Sequence, residues 1–320
     1  MNKLVTVTLN PAIDLTGHLE KLSIGEVNRI NAASQRAAGK GINVALVARQ
    51  LDIEVTVTGI LGRQNEHPFT DLFEISRLKD AYLREEGSTR INVKLSDDGG
   101  RTTDINFPGL EIKESTFEAL EERLILLCKT QDLFVLTGSL PESLSPKRWA
   151  ELIVLLKAEN KTVFLDTSGL PLAKAVAAKP DLIKPNEKEL LDLFSYGASE
   201  DQADIAKRAI ALGIANVVVS SGERGVTWYT NDNTFTAVPP IQPVINTVGA
   251  GDSLLAALAV GWLRGDDRAE NLRRAAAIAA HSVTQVGVNI PQPAVLAELT
   301  FRTELVHHFG SGKYRSDVVK

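Results

Sequence analysis

Leu133-Phe134-Val135-Leu136-Thr137-Gly138-Ser139 opens with four consecutive apolar residues and stops at a glycine and a serine. An alternating run would leave one face for water. A continuous apolar run needs cover on both faces, as a strand inside a parallel sheet has. Working outward, short β-branched or apolar runs recur at 4–9, 55–60, 162–166, 182–184 and 217–220, with helical patterns between them. That rhythm predicts an α/β fold: a doubly wound, mostly parallel sheet with helices on both faces. Ligands of such sheets bind beyond the carboxyl ends of the strands. The residues that follow these runs are therefore candidates by position: Asn10, Asp14, Gly138, Ser139, Asp166, Lys184, Asn186, Ser221 and Gly222. A polar residue after a strand also suits an ordinary turn, and only convergence on one rim separates the two readings.

Two stretches break the rhythm. Residues 15–37 and 88–107 alternate without helical pattern, Ile91, Val93 and Leu95 against Asn92, Lys94 and Ser96, and Asp97-Asp98-Gly99-Gly100 supplies a hairpin turn. They are expected to pair into a small β-sheet lid outside an α/β core made of 1–14, 38–87 and 108–320. Its exposed edges and face call for something to cover, either the active site or a second copy of the chain.

The chain has 320 residues, 44% hydrophobic and 23% charged, enough for one large core. The formal charge of −5, from 40 acidic and 35 basic residues without a basic block, argues against nucleic-acid or membrane-surface partners. An anionic substrate would need a local basic pocket. The single cysteine, Cys128, excludes an intramolecular disulfide and follows an apolar run, where a buried thiol is expected. The five histidines lack metal-ligand spacing, and His307 and His308 are read as part of a solvated, disordered tail that runs to Lys320. The N-terminus does not read as a signal peptide, and no apolar run approaches the roughly 18 residues of a membrane span, so the cytoplasm is the expected location.

Chemistry enters at Asn246-Thr247-Val248-Gly249-Ala250-Gly251-Asp252-Ser253, ahead of the apolar stretch 254–263. Glycines at a helix start let backbone N–H groups close on an anion. Asp252 can then accept a proton from an attacking hydroxyl while the Ala250 and Gly251 amides neutralise phosphoryl charge. An Asp in this place also suits a helix N-cap. Neither a Walker A loop nor the three-glycine dinucleotide fingerprint is present. Ala37-Ala38-Gly39-Lys40-Gly41-Ile42-Asn43 is a second glycine-led helix start, where Lys40 offers charge to a phosphate and Asn43 can bond hydroxyls; a flexible solvated turn reads the same way. Arg90, Asn92 and Lys94 share one strand face. Asn186 and Glu189 share a helix face: Glu189 can hold waters of Mg²⁺, or the pair can form a capping box. Residues 220–225, Ser-Ser-Gly-Glu-Arg-Gly, can hold phosphate or ribose, or form a tight turn.

These motifs, in this order, resemble the PfkB family of sugar and nucleoside kinases, related to ribokinase, over nearly the whole chain. Ala38 to Asn43 is similar to the family's first signature, Lys184 to Glu189 to its N-x-x-E motif, and Asn246 to Ser253 to its second signature, with the G-A-G-D core. The resemblance implies a ribokinase-like fold and ATP-dependent phosphoryl transfer with Mg²⁺. Asp252 is then the general base, and Gly249, Ala250 and Gly251 form the anion hole. Asp14, Gly39, Lys40, Asn43, Arg90, Asn92 and Ser139 would bind the sugar phosphate. Lys184, Asn186, Ser220, Ser221, Gly222, Glu223, Gly225 and Gly251 would bind ATP, and Glu189 would reach Mg²⁺ through water. The lid would double as a homodimer clasp. Residues 8–15, Lys40 and residues 89–95 most resemble members that convert D-fructose 1-phosphate to the 1,6-bisphosphate. Members acting on tagatose 6-phosphate share the lysine loop, those acting on fructose 6-phosphate usually have glycine at the position of Lys40, and a catalytically silent sugar-phosphate sensor is the reading from another class. Ala38 departs from the glycine common at its position.

Overall fold

A computed structural model describes residues 3–194 and 201–309. Along the chain run strands β1 (Lys3–Thr8), β2 (Ala12–Leu19) and β3 (Ala32–Ala38), helix α1 (Lys40–Gln50), β4 (Glu54–Gly62), α2 (His67–Ile75), β5 (Lys79–Asp80), β6 (Leu83–Glu85), β7 (Arg90–Asp97) and β8 (Thr102–Asn106). Then come α3 (Glu114–Cys128), β9 (Leu133–Thr137), α4 (Arg148–Ala158), β10 (Thr162–Asp166), α5 (Gly169–Ala175), β11 (Leu182–Ile183), α6 (Glu187–Leu193) and α7 (Gln202–Ala211). The chain continues through β12 (Asn216–Ser220), β13 (Val226–Tyr229), β14 (Asn233–Val238), α8 (Ala250–Arg264), α9 (Arg268–Ser282), α10 (Pro293–Arg302) and β15 (Glu304–Phe309).

The large sheet has the order β15-β14-β13-β12-β11-β10-β9-β1-β4-β5, with β6 also on β4. It is parallel from β12 to β5 and antiparallel at β13, β14 and β15. Side chains of one strand alternate between two cores. Leu133 and Val135 join a cluster with α1, α2, α8 and α9, whereas Phe134 and Leu136 join one with α3, α4, α6 and α7. That is why the run from Leu133 has no polar side. The sequence-based expectation of a doubly wound α/β fold holds, and Cys128 is buried at the end of α3.

A separate four-stranded sheet runs β3-β2-β7-β8. Its hairpin between β7 and β8 turns at Gly100, whose φ of 73° suits glycine, with Gly100 N donating to Asp97 O at 2.9 Å. The first strand of this sheet begins at Ala12, so Asp14 sits on it.

One expectation is overturned. His307 and His308 are not in a solvated tail: they belong to β15, paired to β14. The His307 ring stacks on Phe235, 4.4 Å between centroids, and its Nε2 bonds Asn233 Oδ1 at 2.9 Å. The period of a strand puts Leu305 and His307 on one face, and that face has a partner. Residues 310–320 of the expected tail lie outside the described residues.

Candidate active site

Helix α1 starts against β1 because Gly41 has no side chain: a Cβ there would stand 2.2 Å from Thr8 Oγ1. This contact sets Lys40 and Asn43 at the mouth of a cavity of about 420 Å³ at the carboxyl ends of the parallel strands. Helix α8 starts opposite. Gly249 takes φ 89°, the left-handed region, and the helix begins at Ala250. Asp252 is therefore not the N-cap. It lies in the first turn, 6% exposed, and accepts a hydrogen bond from Asn43 Nδ2 at 2.8 Å.

Burial pushes the Asp252 carboxyl up to about 6, and the neighbouring Asp166 carboxylate adds to the rise against the pull of Lys40, the Asn43 bond and Lys184. A base of that strength, poised near neutral pH, suits proton abstraction. Asp166 ends β10 and is 1% exposed; Lys40 Nζ stands 3.6 Å from its Oδ1 and Lys184 Nζ 3.5 Å from its Oδ2. Neither oxygen has a hydrogen-bond partner among the described residues. Burial alone would lower the Lys40 pKa, but Asp166, Asp252 and Glu189 together raise it, so the ammonium stays charged. Lys184 Nζ lies 3.3 Å from where a Gly251 Cβ would be, so a second cation stands over the start of α8.

At the other end, β2 and β7 pair in parallel with Asp14 beside Asn92, and Asn92 Nδ2 donates to Asp14 Oδ1 at 3.0 Å. Arg90 Nη2 donates to Asn10 O at 3.2 Å, and burial lowers its pKa against the pull of Asp14. Asn186 and Glu189 do form the capping box: Asn186 Oδ1 accepts from Glu189 N at 2.8 Å and Glu189 Oε2 from Asn186 N at 2.9 Å. Both also line the cavity.

The cavity thus gathers Asp14, Gly39, Lys40, Asn43, Arg90, Asn92, Lys184, Asn186, Glu189, Ser220, Gly249, Gly251 and Asp252 from the expected set. Six expected residues do not line it. Ala250 is the first residue of α8. Ser139 accepts a hydrogen bond from Asn10 Nδ2 at 3.1 Å. Ser221, Gly222, Glu223 and Gly225 form a tight turn, closed by Ser221 N to Gly225 O at 2.9 Å, and only Ser220 reaches inward. The residue that sequence reasoning undervalued is Asp166, noted for its place after a strand and given no role. Its signal was a carboxylate ending the apolar run 163–165, where burial demands partners.

A ribokinase-like sheet with a separate four-stranded sheet, and a buried carboxylate at a glycine-led helix start flanked by ammonium groups, fit a sugar kinase. The chain belongs to the pfkB family of carbohydrate kinases, whose model matches residues 1–295. It is 44% identical over 290 residues to the 1-phosphofructokinase of Vibrio cholerae, with 90% of this chain and 92% of that one covered. The 1-phosphofructokinase of Escherichia coli K12 is 36% identical over 306 residues, 95% and 98% of the two chains. The crystal structure of Escherichia coli phosphofructokinase-2 in complex with fructose-6-phosphate superposes with a TM-score of 0.85 at 24% identity, over 94% of this chain and 99% of that one, which shows the shared fold.

Proposed function

We propose that this kinase transfers the γ-phosphoryl group of ATP to D-fructose 1-phosphate, giving D-fructose 1,6-bisphosphate and ADP. The observation that carries the chemistry is Asp252, buried, oriented by Asn43 and set in the first turn of α8 beside two lysines. The two relatives named 1-phosphofructokinase carry the choice of acceptor.

Asp14, Asn92, Gly39 and Asn43 hold the sugar hydroxyls, and Arg90 with Lys40 takes the acceptor's own phosphate. Ser139 supports that end through Asn10. Asp252 accepts the proton of the attacking hydroxyl as the new O–P bond forms and the bond between the γ-phosphorus and the bridging oxygen breaks, with the electron pair leaving on ADP. The amides of Gly249, Ala250 and Gly251 and the Lys184 ammonium face the charge on the phosphoryl oxygens. Asn186 and the turn from Ser220 through Ser221, Gly222, Glu223 and Gly225 hold the nucleotide.

Mg²⁺ fits this donor set: both Asp166 oxygens lack hydrogen-bond donors, and Glu189 has an oxygen outside the capping box. Among the described residues no group of three or more His, Cys, Asp or Glu forms a cage, as suits an ion held chiefly by substrate phosphates. Bound through water to Glu189, the ion would offset charge on the transferring phosphoryl group.

The four-stranded sheet is read as a lid and a clasp to a second copy. Ile24 and Val27, 97% and 87% exposed, and the half-exposed Phe107 support the clasp. No described helix is long and apolar enough to cross a membrane, and use of ATP with a sugar phosphate supports a cytoplasmic location.

The test is ATP-dependent ADP release with Mg²⁺ on fructose 1-phosphate, tagatose 6-phosphate, fructose 6-phosphate and free sugars, with Asp252→Asn as control. A lead of tenfold or more in kcat/KM for fructose 1-phosphate is expected, and Asp252→Asn slows turnover by roughly 10²–10⁴-fold. A lead for tagatose 6-phosphate replaces the substrate. Inactivity on every sugar leaves a sugar-phosphate sensor.

A further inference from the structure

A second cavity of about 860 Å³, in the range of small-molecule sites, opens beside the catalytic one. Asn43 lines both. Three arginines converge on it from different elements: Arg36 from β3, Arg49 from the last turn of α1, and Arg77 just beyond α2. Arg84, Arg148 and Arg274 each close on a carboxylate elsewhere. Arg36, Arg49 and Arg77 make no ion pair or side-chain hydrogen bond with any described residue.

The lining carries two carboxylates, Asp52 and Asp71, against the three guanidinium groups, which leaves a positive surplus. Ile75 and Val286, 82% and 58% exposed, add apolar walls. An anion with an apolar portion satisfies both. Guanidinium groups match the paired oxygens of a phosphate, and an exposed apolar wall next to them favours a phosphate carried on carbon over the free ion.

The cavity is joined to the catalytic centre by short links. Gln50 Nε2 donates to Val288 O at 2.9 Å, and Ile290 N donates to Gln50 Oε1 at 3.1 Å. Val288 in turn backs Gly249: a Cβ there would stand 2.5 Å from Val288 Cγ1. On the lid side, Arg36 pairs in register with Asp14 across β2 and β3, and its Nη1 lies 3.2 Å from where a Gly287 Cβ would be. A ligand that drew Arg36 toward Arg49 and Arg77 would tie the strand beside Asp14 to the helix that carries Asn43.

We propose that this cavity is a regulatory site for a small organic phosphate monoester with an apolar portion, and that its occupancy changes the affinity for the sugar substrate by fixing the lid against α1. The proposal goes beyond the catalytic reading, since its three arginines do not line the catalytic cavity.

The experiment is calorimetric titration of the full chain with phenyl phosphate and butyl phosphate as probes, for the wild type, R49Q/R77Q and the charge-keeping R49K/R77K. Expected is binding to the wild type, about tenfold weaker for each arginine neutralised and intermediate in the lysine variant. A bound probe should also shift the apparent KM for the sugar substrate by about fivefold or more, with kcat unchanged. R49Q/R77Q should keep the wild-type unfolding midpoint and probe-free activity and lose the shift. Binding that survives undiminished in R49Q/R77Q belongs to the catalytic cavity and overturns the proposal, as does failure of both probes to bind the wild type. The binding arm reads the same whichever sugar the enzyme phosphorylates.

Discussion

Asp252→Asn should stabilise the fold, and by an amount that depends on pH. The carboxyl sits at about 6 in the folded chain against an ordinary value of 3.8. At about 1.4 kcal/mol per unit, holding it ionised in the folded state costs about 3 kcal/mol. The sign follows from proton counting. Below the unfolded value both states are protonated and the cost vanishes; between the two values the folded state holds more protons, so stability falls as pH rises; above the folded value the full cost is present. Asn keeps the shape and can still accept from Asn43 through its oxygen, but it carries no charge. The gain of the variant over the wild type should therefore grow by about 2 kcal/mol between pH 4.5 and pH 8, the remainder being already present at the lower pH. Urea unfolding of both proteins across that range reads it directly, because an added constant from local repacking cancels in the slope. A difference that stays flat, or shrinks toward alkaline pH, would refute the account of Asp252 as a base held at a cost by burial beside Asp166.

Other outcomes follow from the same cluster. If Asp252 must be ionised to take the proton, kcat/KM falls below a pH of about 6 and is level above it. Lys40→Met removes a cation that lowers the Asp252 pKa, so this acid limb should move to higher pH while kcat drops by roughly 10-fold or more; an unmoved limb would place Lys40 away from the base. Glu189→Gln retains an oxygen for the Asn186 amide and hence the cap, but not the charge. Its melting temperature should match the wild type while the Mg²⁺ concentration for half activity rises by about 10-fold or more, the effect of losing a group that holds the ion's waters. An unchanged Mg²⁺ requirement would leave Glu189 as a helix cap only.

The large sheet was legible because its strands are buried on both faces, and burial writes itself into composition: 133–136 and 163–165 carry no polar residue at all. Strand β7, Arg90 to Asp97 of the small sheet, was legible for the opposite reason, its strict alternation. The edge strand β15 was not. Its six residues include two adjacent histidines and a single exposed-edge partner, so nothing local separates it from a polar tail, and the stacking of His307 on Phe235 joins segments far apart in sequence. The same limit hid the part played by Asp166. Its neighbours in sequence mark only the end of a strand, whereas Lys40 and Lys184 reach it from other βα units.

Asp166 also explains why the site could not be optimised for stability. A buried carboxylate whose two oxygens lack hydrogen-bond donors breaks the rule that governs the rest of the interior, and the two ammonium groups beside it, at 3.5 and 3.6 Å, are farther than the bonds that would satisfy it. Closer pairing would hold the fold better and leave the lysines fully engaged with Asp166. At the observed separation each ammonium keeps N–H groups outside the pair, while the Asp166 charge raises the Lys40 pKa and lifts the proton affinity of Asp252. The cost in folding and the raised proton affinity of Asp252 have a common origin, in one buried negative charge placed beside another. Replacing Asp166 by Asn should therefore act on Asp252 even though the two share no bond: the acid limb of kcat/KM should move to lower pH, opposite in direction to the shift from Lys40→Met. Two substitutions that move one titration in opposite directions would identify the charge of the cluster, rather than its packing, as what tunes Asp252.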